Sequence, residues 1–86
     1  MNFFVGEFKR SDDADYDFLE QELMYQALGE SLVKEMLHYS DQAWKQYKHE
    51  YGYITVQVYC KFLNKKHATW FQLKYPQVVN TQMEFQ

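Results

Sequence analysis

The stretch "ITVQVYCKFLNKKHATWFQLKY", residues 54–75, decides how the second half of this chain folds. Its first arm alternates: Ile54, Val56, Val58, Cys60 and Phe62 fall on one side, and Tyr53, Thr55, Gln57, Tyr59 and Lys61 on the other. A sustained period of two is the mark of a strand with one face buried. Beyond "LNKKH", Thr69, Phe71, Leu73 and Tyr75 alternate with Ala68, Trp70, Gln72 and Lys74. The stretch therefore reads as a β-hairpin around a basic turn, although that turn lacks the glycine that would strengthen the signal. Pro76 ends the second arm, and "VVNTQMEFQ" at 78–86 alternates again, which predicts a third strand.

Upstream of the hairpin the period changes. Trp44, Tyr47 and Tyr51 are spaced i, i+3, i+7 behind Ser40 and Asp41, with Gly52 placed as a C-terminal cap, so a helix is predicted over 41–51. Leu19, Leu23 and Ala27 form one row, and Met24, Leu28, Leu32 and Met36 a neighbouring one. Together they make one apolar helical stripe. Gly29 either ends a first helix or is carried within a longer one that reaches Tyr39. The start, "MNFFVGEF", reads as a short strand or apolar arm with Gly6 as a bulge. The expected class is α+β: an N-terminal strand or arm, two to three helices, then a three-stranded antiparallel meander packed on the helices.

Eighty-six residues make one domain, and chains of this size bury only about 60 to 65% of their unfolded surface. Seventeen aromatics (seven Phe, eight Tyr and two Trp) compensate for the small core, and the tyrosines favour a boundary with water or with a partner. A homodimer is compatible with that surface. The single cysteine excludes an intrachain disulfide, no secretory leader is visible, and no apolar run approaches the length of a membrane helix. A cytoplasmic protein without a membrane partner is expected.

The net charge of −3 conceals two unlike halves. Residues 1–43 hold three Lys and Arg against ten Asp and Glu, whereas residues 44–86 hold six against two. In the acidic half, Asp12, Asp13, Asp15, Asp17, Glu20 and Glu22 place six carboxylates within eleven residues, and the spacing of Asp13, Asp17 and Glu20 sets them on one helical face. Such a row suits a basic partner, and it also suits the positive end of a helix dipole. In the basic half, the outward side of the predicted hairpin carries Tyr53, Tyr59, Trp70, Lys61 and Lys74, and its turn carries Lys65, Lys66 and His67.

Aromatic anchors with flanking lysines fit a protein interface. They also fit single-stranded nucleic acid, where bases stack on rings and lysines neutralise phosphates. The acidic total and the single arginine, Arg10, weigh against nucleic acid. Catalytic constellations are missing: three separated glycines make no phosphate loop, the three histidines have no metal-ligand spacing, and Cys60 falls on the core side of its strand. The expectation is a non-enzymatic protein-binding domain of the inhibitor, antitoxin, immunity-factor or adaptor kind, without cofactor or metal. Single-stranded nucleic-acid binding by the sheet face and the basic turn is the alternative.

Overall fold

A computed structural model describes residues 1–12 and 17–81. The elements are β1 (Asn2–Ser11), α1 (Asp17–Leu28), α2 (Glu30–Tyr39), β2 (Gln42–Glu50), β3 (Tyr53–Lys61), α3 (Lys65–Lys74) and β4 (Val79–Thr81). The four strands form one sheet in the order β2-β3-β1-β4, with every neighbouring pair antiparallel. The α+β class, the N-terminal strand and the two following helices are as the sequence predicts.

The connectivity is richer than a meander. β1 and β2 run in the same direction with β3 inserted between them, and β3 and β4 do so with β1 inserted between them. This is the split β-α-β unit used twice, a connectivity described as ferredoxin-like, with the first crossover helix broken in two. Gly29 makes the break. Its φ of 93° lies where only glycine is at ease, and its N–H donates to Tyr25 O at 2.9 Å while its carbonyl accepts from Val33 at 3.1 Å.

Two segments depart from the sequence expectation. Residues 42–50 are a strand and not a helix. β2 is an edge strand that neither face covers fully, so its side chains carry no apolar alternation, and its aromatics happen to fall at helical spacing. The hairpin is therefore β2–β3, closed by Tyr51 and Gly52, and Gly52 adopts the positive φ of 85° required at the second of the two central residues of a type II turn.

Residues 65–74 are a helix and not the second hairpin arm. Asn64 caps it, its side-chain oxygen accepting from the N–H groups of Lys66 at 2.9 Å and His67 at 3.2 Å. Ala68 and Phe71, three apart, are fully buried, and Tyr75 one turn on packs against them. The apparent alternation of 69–75 was a coincidence of a segment that fits both periods. Only Val79–Thr81 of the predicted last strand pairs with the sheet, and 82–86 lie outside the described residues.

One apolar cluster joins the helices to the inward side of the sheet: Phe3, Val5 and Phe8 from β1, Ile54, Val56, Val58 and Cys60 from β3, Met24, Leu32, Val33 and Met36 from α1 and α2, and Phe71 from α3. Phe3, Phe62 and Phe71 meet with ring centroids 5.1 to 6.4 Å apart. The three helices thus share one face of the sheet, and β1 and β3 supply its centre.

Candidate functional site

The register places every inward residue opposite an inward neighbour, and so defines the other face. Across the strands, Val79, Phe4, Tyr59 and Trp44 stand in one row. The Tyr59 ring lies 5.9 Å from Trp44 and nearly parallel to it, and 5.4 Å from Phe4. The flanking rows carry Asn2, Lys61 and Gln42 on one side, and Glu7, Gln57 and Gln46 on the other. Farther along, Lys9 Nζ sits 4.8 Å from the centre of the Tyr53 ring. Tyr53, Tyr59 and Lys61 therefore do share the helix-free face. Tyr59, however, is only 5% exposed, so its ring serves the sheet more than it offers a platform.

Trp70 and Lys74 do not lie on that face, because they belong to α3. The helix instead gathers them with the basic residues: Lys65, Lys66, Thr69, Trp70 and Leu73 line one shallow groove on its outer side. Leu73 is 78% exposed, Leu63 71% and Trp70 37%. The helix has no acidic residue. Lys74 Nζ lies 5.4 Å from the Trp70 ring and bonds Glu35 of α2 at 2.5 Å. Tyr75 also donates to Glu35, and the bonds from Lys74 and Tyr75 hold that carboxyl below its ordinary range. On the other flank, the Tyr39 ring meets Trp70 at 5.0 Å and His67 at 5.4 Å. The result is an apolar ridge framed by cations and tied to α2 through Glu35 and Tyr39.

Of the acidic row, the described residues settle the place of Glu20 and leave much of the rest outside. Asp12 is exposed, Asp13 and Asp15 lie outside the described residues, and Asp17 begins α1. Glu20 turns inward and is 5% exposed. Its carboxylate accepts from Lys45 Nζ at 2.9 Å and Tyr47 Oη at 2.7 Å, and Arg10 Nε lies 2.9 Å from its second oxygen. Burial pushes the carboxyl up, but the bonds from Tyr47 and Lys45 and the charges of Lys45 and Arg10 outweigh it and hold the group below its ordinary value. Glu20 is a tie between α1, β1 and β2 and not part of an acidic surface.

Between α1, α2 and the β2 edge there is a cleft of about 340 Å³, lined in part by Met24, Met36, Leu37, Ala43 and Tyr47. Cys60 is fully buried, and burial pushes its thiol up to about 12, away from nucleophilic chemistry. Among the described residues no group of three or more His, Cys, Asp or Glu could hold a metal ion, and no helix is long and apolar enough to cross a membrane.

Leu73 and Tyr39 beside Trp70, and Phe4 and Trp44 on the sheet face, escape a sequence reading that makes 68–75 a strand and 41–51 a helix. The readable signal was Asn64 ahead of Lys65, Lys66, Thr69, Trp70 and Leu73, whose spacing i, i+1, i+4, i+5, i+8 traces one side of a helix. No family model, curated protein or solved structure matches this chain.

Proposed function

We propose that this protein is a non-enzymatic binding domain whose α3 ridge docks an acidic surface of another protein. The observation that carries the reading is the ridge of Trp70 and Leu73 standing in solvent, framed by Lys65 and Lys66 and with no acid on its helix. Contiguous apolar side chains rimmed by charge are what interfaces use, with Trp as the commonest anchor. Lysines at the rim raise the on-rate toward a carboxylate-bearing partner.

Trp70 is pre-set for such a contact by Tyr39 and Lys74, which limits the rotamer entropy lost on binding. Acidic partners would meet Lys65 and Lys66 first, since Lys74 is already engaged by Glu35. An inhibitor, immunity factor or adaptor works through a contact of this sort.

The test is a photo-crosslinking side chain placed at Leu73, with the same group at the exposed Tyr51 as control. The expected result is one acidic protein captured from Leu73 and not from Tyr51, whose purified form loses at least about tenfold in affinity to Leu73→Asp. The competing outcome is a single-stranded oligonucleotide that binds at low salt, weakens steeply as salt rises, is indifferent to Leu73→Asp and is lost in Lys61→Glu. That pattern would move function to the sheet face and overturn the reading.

A further inference from the structure

We propose that β2 is a self-pairing edge, through which two copies of this chain join their four-stranded sheets into one continuous sheet. Among the described residues β2 pairs on one side only, with β3. The direction of its backbone groups follows from the ladder. Phe62 exchanges both hydrogen bonds with Met1, at 2.7 and 2.9 Å, so Phe62 and Cys60 bond toward β1, and the alternate residues Lys61, Tyr59 and Gln57 bond toward β2. Their β2 partners Gln42, Trp44 and Gln46 therefore spend their backbone groups on β3. Ala43, Lys45, Tyr47 and His49 direct theirs outward.

An antiparallel pairing of β2 with itself must place outward residues opposite outward residues, so its two-fold axis passes through a residue. An axis at Lys45 sets two lysines face to face, and an axis at Tyr47 sets Lys45 opposite His49; both shorten the overlap. An axis at Gln46 uses all nine residues of the strand. It sets Lys45 opposite the partner's Tyr47, Lys48 opposite the partner's Trp44, and Gln42 opposite the partner's Glu50. No cation meets a cation.

Lysines usually protect an edge by repulsion. In this register each one stands opposite an aromatic, a favourable cross-strand pair, with Lys45 keeping its bond to Glu20 and meeting the partner's Tyr47 along its apolar stem. Tyr47, 47% exposed, and Leu37, 51% exposed, stand at this edge beside the cleft, and the partner's Tyr47 would arrive next to Lys45 at its lip. The occupant is thus a second copy, chosen by the self-complementary order of charge and ring along the strand. This inference does not depend on the role of α3.

The experiment measures mass and register separately. Sedimentation of the wild-type chain over a wide concentration range is expected to reach twice 10.5 kDa, while Gln46→Arg, which sets two cations together on the axis, stays at the single mass. A Gln46–Gln46 pair is non-hydrogen-bonded, with Cα atoms about 4.5 Å apart, within the roughly 4.4 to 6.8 Å that a disulfide spans. Under mild oxidation Gln46→Cys is expected to form a covalent dimer at least about tenfold faster than Lys48→Cys, because only the former meets its own copy. Cys60, fully buried, does not compete. A wild-type chain that stays at the single mass throughout, or equal crosslinking of the two cysteine variants, overturns the proposal.

Discussion

Glu20 bears a charge in a place where charge is costly, and two donors from β2, Lys45 and Tyr47, together with the charge of Arg10 on β1 offset that cost. Glu20→Gln leaves Arg10 and Lys45 without their counter-charge and is expected to lower stability by about 2 to 3 kcal/mol at neutral pH, read from the urea midpoint. Because its folded pKa lies below the ordinary value of 4.5, the stabilisation is present above that value and is lost as pH falls through the lower folded pKa. The gap in midpoint between wild type and Glu20→Gln should accordingly narrow in acid. A constant gap would show that the carboxylate's charge is not what stabilises. Cys60 behaves in the opposite way: with its thiol raised to about 12 and no exposure, it should resist a thiol reagent until the chain unfolds. Sequence alone placed Cys60 on the core side of its strand, because a period of two sorts faces. It placed Glu20 in an acidic row, because helical spacing says which residues share a face and not which way that face turns.

At the scale of elements, close approach decides more than propensity. A Cβ at Gly6 would lie 2.3 Å from Leu28 Cδ2, so β1 and the end of α1 meet through the missing side chain. Gly6→Ala is expected to cost about 1 to 3 kcal/mol by overpacking. Most of that cost should return in the double variant with Leu28→Ala, a coupling that a double-mutant cycle measures directly. An additive result would point to backbone strain in place of the contact. For α3 the cap is the test: Asn64→Ala should remove about 1 kcal/mol and loosen the helix's first turn in hydrogen exchange, leaving β3 protected. The strand period of β3 was legible because that strand is central, its inward residues fully covered and its outward ones polar or aromatic. β2 at the edge and α3 on the surface were not, since an element with half-covered faces carries a diluted pattern.

For the molecule as a whole, the core is small and ring-rich, and Phe71 joins α3 to Phe3 and Phe62 at its centre. Phe71→Ala is expected to remove about 3 to 5 kcal/mol, a large share of the stability of an 86-residue domain, and a loss under about 1 kcal/mol would mean that α3 docks by some other contact. Part of the charge of the acidic half is spent within the molecule: Glu20 is engaged by Arg10 and Lys45, and Glu35 by Lys74. On the outer side of α3, Lys65, Lys66, Trp70 and Leu73 stay exposed together. Composition and periodicity by themselves determined an α+β chain, a strand or arm at its start, an apolar helical stripe on either side of Gly29, and the core side of β3, since each depends on neighbours along the chain. The order β2-β3-β1-β4, the choice of strand for 42–50 and helix for 65–74, and the gathering of Lys65, Lys66, Trp70 and Leu73 on one surface were decided only in three dimensions. A segment that fits two periods takes the one whose buried side chains find a partner, and here Phe71 found Phe3, far away in the sequence, with Ala68 buried in the same cluster.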